Sequence, residues 1–134
     1  MTQKDKELLL KDLSTRLPYG VFCSMGLDYP LPLQRLFINK LDGTLLDFYE
    51  DGKDYQVYLS EVKPYLRPMS SMTEEEKNDY LNTFKKSIIG TDEEDGRVWT
   101  VDSIDWLNTH RFDYRGLIER GLAIEVTEEN NPYK

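Results

Sequence analysis

LPLQRLFINKLDGTLLDFYEDGKDYQVYL, residues 31–59, is the stretch on which the fold turns. Leu36-Phe37-Ile38, Thr44–Tyr49 and Tyr55–Leu59 are short runs rich in aliphatic and aromatic side chains, separated by Asp42-Gly43 and Asp51-Gly52. Glycine accepts positive φ at little cost, so each Asp-Gly reads as a tight turn between antiparallel strands. In the last run Tyr55, Val57 and Leu59 alternate with Gln56 and Tyr58, the period of a strand with one buried face. Upstream, Tyr19–Met25 with Val21, Phe22 and Cys23 reads as a further strand, ahead of the bend Tyr29-Pro30-Leu31-Pro32. The expectation is an antiparallel meander of three or four strands that could curl into a small open barrel.

Such a sheet needs a cover for its apolar face. Leu9, Leu10, Leu13 and Leu17 fall on one helical face, with Lys6, Glu7, Lys11 and Asp12 on the other, and Pro18 stops the helix. Docking of the leucine stripe on its own sheet is the plain reading. Residues 60–72, with Pro64 and Pro68, read as an extended link. Thr73 with Glu76 then forms a capping box, and Glu74, Glu75 and Glu76 suit the positive end of a helix. That helix is expected to reach about Ile89, with Tyr80, Leu81, Phe84 and Ile88 inward, Lys85 and Lys86 near its end and Gly90 closing it. Further on, Arg97–Val101 reads as a short strand, Ile104–Asn108 as a helix capped by Asp102 or Ser103, and Tyr114–Arg120 as a second short helix. Leu122–Val126 reads as a closing strand beside Arg97–Val101, and the polar tail 128–132 as a frayed end. The fold class expected is α+β in one domain of residues 1–134. In it an N-terminal helix on an antiparallel meander (1–62) lies beside a helical C-terminal half with short closing strands (63–134).

Composition narrows the function. With 9 Tyr, 5 Phe and 2 Trp in 134 residues, the chain has enough aromatic material for a core. No apolar run approaches the roughly 18 residues of a membrane span, and the start MTQKDKELLL is too charged for a secretory signal. A single Cys (Cys23) and a single His (His110) make neither an internal disulfide nor an ordinary zinc site. The net charge is −8, divided as −1 over residues 1–70 (10 acids, 9 bases) and −7 over 71–134 (15 acids, 8 bases). That balance disfavours general nucleic-acid binding.

Chemistry-bearing patterns are sparse. There is no phosphate-cradling glycine loop and no G-x-S-x-G elbow, and His110 lies 87 positions from Cys23, which reads as a small buried hydrophobe. The acidic loop Thr91–Gly96 fits a calcium loop poorly, with Thr at the first ligand position and Asp102 at the twelfth. The expectation is a protein without catalytic, cofactor-binding or metal-ligating residues. Two groups could bind a partner. Tyr65, Leu66 and Arg67 stand between two prolines, the kind of aromatic-plus-Arg cluster found at binding hot spots, although Tyr65 and Leu66 would also serve as inward packing. His110, Arg111 and Arg115 fall in a helix–turn–helix–strand outline over 102–126 that could meet a phosphate backbone; alternatively, the arginines pair with Asp113, Asp105 or Glu119. The reading favoured is a small non-enzymatic accessory protein that binds another protein. The alternatives are an acidic mimic of nucleic acid built on Glu93, Glu94 and Asp95, and a weak DNA binder.

Two longer strings carry a resemblance. KPYLRPMSSMTEEEK (63–77) and IDWLNTHRFDYRGLIERGLAIE (104–125), 37 of 134 residues, resemble a family of small proteins common in gut anaerobic bacteria and their phage-like and mobile elements. The resemblance implies a cytoplasmic, phage- or mobile-element-related setting and a single structural unit holding both strings. It supplies no activity, cofactor or functional residue.

Overall fold

The computed structural model describes residues 1–27, 29–39, 43–84, 90–92 and 97–134. Helix α1 (Gln3–Arg16) starts at Thr2, whose Oγ1 accepts the Asp5 amide while Asp5 reaches back to the Thr2 amide. Pro18 turns the chain into a 3₁₀ turn, Leu17–Tyr19, so the first strand is shorter than its apolar run: β1 covers Phe22–Ser24. β2 (Leu31–Asn39), β3 (Gly43–Glu50) and β4 (Lys53–Tyr58) follow as the expected antiparallel meander, with Asp51 and Gly52 both at positive φ in the second turn. The first turn, at residues 40–42, lies outside the described residues.

Residues 60–72 are more than a link. β5 (Lys63–Pro68) lies inside the sheet, antiparallel to β1 on one side. On the other side it runs parallel to β8 (Phe112–Asp113) and β9 (Ile124–Glu125). Prolines at 64 and 68 offer no amide, so the ladder uses neighbouring groups: Arg67 donates its N–H to the Arg111 carbonyl at 2.8 Å, and Leu66 accepts from the Val126 N–H at 2.8 Å. The seven-stranded sheet is open and mixed, ordered β4-β3-β2-β1-β5-β8, and it does not close into a barrel.

Between β5 and β8 come α2 (Glu74–Thr83), the hairpin β6 (Gly90–Asp92) and β7 (Arg97–Trp99), and α3 (Val101–Thr109). The Thr73–Glu76 capping box forms as its spacing predicts. Leu81 is 60% exposed and not inward. The continuation of that helix over 85–89, with Lys85, Lys86 and Ile88, lies outside the described residues, and so do positions 93–96 of the acidic loop and the Trp99 side chain. Gly90 opens a strand and does not close the helix. α3 starts three residues early because Thr100, not Asp102 or Ser103, is its cap: Thr100 Oγ1 accepts the Ser103 amide at 2.9 Å.

Residues 114–121 form turns, not a helix. Gly116 and Gly121 sit at φ 75° and 74°, and both Asp113 carboxylate oxygens accept main-chain amides, from Leu117 and Ile118 at 2.9 Å each. A left-handed residue at the middle of the segment ends any α-helical run. The helix-turn-helix outline is therefore not realised here. Leu122–Val126 closes on β5, not on Arg97–Val101.

The core draws on both halves of the chain. Leu9 and Leu13 of α1 meet Leu33, Leu46 and Phe48 of the meander together with Leu66, Leu117 and Leu122. Each such buried side chain contributes on the order of 1.5–3 kcal/mol. A bulge at Leu33/Arg35 shifts the alternation by one, so Leu31, Leu33 and then Leu36 face this core. A second cluster gathers Met72, Leu107 and Phe112, with Tyr80, Trp106 and Tyr114 against it.

Candidate functional site

A cleft of about 330 Å³ opens where β5, the end of α3 and the C-terminal tail meet, lined by Arg67, Thr109, His110, Arg111, Asn131 and Tyr133. Two of its lining residues, Arg67 and His110, end a stacked column. The Arg67 guanidinium lies 4.2 Å from the Phe112 ring centre, Phe112 stacks on Trp106 at 5.6 Å, and Trp106 stacks on His110 at 4.0 Å. His110 Nδ1 lies 2.9 Å from the Trp106 carbonyl oxygen and donates to it, which leaves Nε2 as an acceptor in the neutral ring.

Arg111 sits at φ 61°, uncommon for a residue with a side chain. Its Nε donates to the Gly20 carbonyl and its Nη2 to the Tyr19 carbonyl, both at 3.3 Å, and its guanidinium lies 4.5 Å from the Tyr133 ring centre. Gly20 itself turns at φ 83°, which only glycine adopts readily. The Tyr133 hydroxyl accepts the Phe22 amide at 3.1 Å and donates to the Tyr65 carbonyl at 2.7 Å. Burial pushes its pKa up, so it keeps the proton it donates. The tail expected to fray is thus pinned at Tyr133. Among the described residues Arg111 meets no carboxylate, whereas Arg67 is spent on one: its Nη1 and Nη2 grip Glu76 at 2.7 and 2.8 Å.

That fork, and less so the Thr73 amide, outweigh partial burial to bring the Glu76 carboxyl from 4.5 down to about 2. A depressed carboxyl stabilises the fold fully above its unfolded value and loses that contribution as pH falls toward its folded one. Glu76→Gln is expected to cost about 1 kcal/mol at pH 7, and the gap from wild type to shrink between pH 4.5 and 2. Urea midpoints measured across that range check it; a gap constant with pH would contradict the ion pair.

Of the residues singled out in the sequence, the structure brings Arg67, His110 and Arg111 to one cleft. Tyr65 is half-buried in β5, and Leu66 is fully buried in the core, out of a partner's reach. Arg115 turns away into structure: its Nη1 donates to Asp12 Oδ1 at 2.8 Å and to the Tyr114 hydroxyl at 3.0 Å. Neither Arg111 nor Arg115 takes Asp113, Asp105 or Glu119 as an ion-pair partner, and Asp113 is itself buried beneath the Leu117 and Ile118 amides. Sequence reading missed Thr109, Asn131 and Tyr133. The one available signal was Tyr133, an aromatic within an otherwise polar tail.

Two other features bear on binding. A wider cleft of about 530 Å³ includes Met69, Tyr114, Ile118, Glu119 and Glu125, beside the Asp113 carboxylate that is already occupied by amides. The second is the outer face of the meander. Registered pairing aligns Phe37, Leu45 and Tyr58 in one row across β2, β3 and β4, on the side away from Leu46 and Phe48. Phe37, Tyr58 and the neighbouring Tyr49 are 43%, 50% and 52% exposed. Between these rows lies Asp47, buried, with Oδ2 3.2 Å from Arg35 Nε and Oδ1 without a hydrogen-bond partner. Cys23 is buried, and burial pushes its thiol pKa up, which suits packing and not nucleophilic attack. Among the described residues no three His, Cys, Asp or Glu side chains gather as a metal site, and no helix is long and apolar enough to cross a membrane. Compared with family models, curated proteins and solved structures, the chain matches none.

Proposed function

We propose that this chain is a small non-enzymatic accessory protein that binds another protein through the outer face of β2, β3 and β4, in the cytoplasmic, phage- or mobile-element-related setting that its resemblance implies. The observation that carries the reading is the row Phe37–Leu45–Tyr58, with Phe37 and Tyr58 exposed on either side of a half-buried Leu45 and the exposed Tyr49 beside it. Large apolar side chains held in register on a rigid sheet make a contiguous patch, and such patches with polar rims mark interaction surfaces. Asp47 is buried and paired with Arg35, out of a partner's reach, so recognition falls to the exposed aromatic rings of this face.

The test pairs affinity capture with a double variant, Phe37→Asp with Tyr58→Asp, whose two sites are exposed enough for the fold to survive. A specific partner recovered with wild type and lost by more than about tenfold with the variant supports the reading. Identical recovery with both proteins overturns it. Sedimentation showing a dimer that the variant abolishes would overturn it too, in favour of a second copy on this face.

A further inference from the structure

We propose that the cleft between Arg67, His110 and Arg111 is a binding site for an oxyanion group, phosphate or carboxylate, separate from the sheet face and independent of the reading given for it. The chain carries a net charge of −8, yet this cleft gathers two arginines and the sole histidine. Their states differ. Arg67 is neutralised by the bidentate Glu76, so it supplies a wall and a flat cation on Phe112. Arg111 has only main-chain carbonyls for partners; they hold Nε and one Nη2 hydrogen, and Nη1 has no partner among the described residues. A guanidinium oriented by two carbonyls and a ring, with its outer donors open, is built for a planar or tetrahedral oxyanion.

The surroundings fit the same chemistry. His110 is held by its Nδ1 contact and the Trp106 stack, so its ring is a fixed wall of the cleft; in the neutral ring Nε2 is an acceptor, and the donors for the anion come from Arg111. Asn131, whose Oδ1 accepts the Tyr133 amide at 2.9 Å, turns its side-chain amide group to the rim, whereas the Thr109 hydroxyl donates to the Asp105 carbonyl at 2.8 Å and only lines it. The cleft, about 330 Å³, lies at the lower end of small-molecule sites, with room for an oxyanion group and the small molecule or side chain that carries it. With its backbone left-handed, Arg111 carries its side chain onto the Tyr133 ring of the tail. Backbone strain held by surrounding structure is common where a side chain must be aimed.

Nuclear magnetic resonance titration of the full chain tests this, with inorganic phosphate in one arm and acetate in the other, against sodium chloride at equal ionic strength. Saturable shifts of the His110 ring and the Arg111 Nε–H with phosphate or acetate, absent with chloride, are expected. Phosphate alone saturating would assign a phosphate-bearing ligand, and acetate alone a carboxylate. Arg111→Gly removes the cation at a φ that glycine prefers and should weaken binding about tenfold or more. Arg111→Lys keeps the charge without the fork and should weaken it less, which reads the fork even if the glycine variant unfolds. Shifts that rise linearly in all three salts, or saturation unchanged in Arg111→Lys and Arg111→Gly alike, overturn the proposal.

Discussion

Asp12→Ala is expected to destabilise the protein by about 3–5 kcal/mol, the cost of breaking a buried ion pair by removing one partner. Asp12 and Arg16 lie one helical turn apart in α1, and both are buried, at 0% and 1% exposure. Asp12 Oδ2 accepts Arg16 Nε at 2.8 Å, while Oδ1 accepts Arg115 Nη1 at 2.8 Å. A single carboxylate therefore balances two guanidinium groups. Arg16 already has one buried nitrogen, Nη1, without a partner; its Nη2 donates to the Phe112 carbonyl at 2.6 Å. Alanine at position 12 leaves a cation with no route to water and a second one half-released. Net stabilities of ordinary domains are about 5–15 kcal/mol, so this loss would bring the chain near its unfolding limit. Denaturant titration should show a lowered midpoint at unchanged slope. Asp12→Asn, which keeps shape and an acceptor, should lose less. Asp12→Leu combined with Arg16→Met should also lose less than Asp12→Ala, because it removes the stranded charge along with its partner. A loss below about 1 kcal/mol for Asp12→Ala would mean that Arg16 finds another anion, contrary to its burial.

This network also marks where sequence reading stops. Strand alternation, the Asp51-Gly52 turn and the Thr73–Glu76 box are local patterns, decided within a few residues, and they are legible as written. Asp12 reads as part of the solvated face of α1, since one of its two cations, Arg115, lies 103 residues away. β5 reads as a link because prolines weaken strand propensity, yet its place is set by partners at 22–24, 112–113 and 124–125. Tyr114–Arg120 has helical composition, but the Asp113 carboxylate binds the amides of Leu117 and Ile118 and Gly116 turns left-handed, so a local cap replaces the helix. The candidate cleft was half legible. Arg67, His110 and Arg111 stand out as basic residues in an acidic chain, whereas Tyr133 and Asn131 reach it through contacts of Tyr133 with Phe22 and Tyr65 that no spacing encodes.

Phe112→Ala is expected to cost about 3–5 kcal/mol through a cavity that its neighbours cannot fill. Phe112 is fully buried at the centre of the second cluster, with Trp106 on one face and the Arg67 guanidinium 4.2 Å from its ring centre. Removing the ring takes away apolar contact with Met72 and Leu107 together with the stacking and cation contributions, each about 0.5–1.5 kcal/mol beyond area. Main-chain interactions are untouched, since the Phe112 carbonyl still receives Arg16 Nη2. Phe112→Leu separates the two parts: it keeps much of the volume and loses the flat face, so it should fall well short of the alanine variant. Denaturant midpoints give the ranking. The same ring is also the floor under Arg67 and, through Trp106, under His110. If the cleft depends on that column, Phe112→Leu should weaken the saturable anion response of a protein that remains folded. Equal anion binding in wild type and Phe112→Leu, at a measurable stability difference, would show that Arg111 alone makes the site and that the column serves only the core.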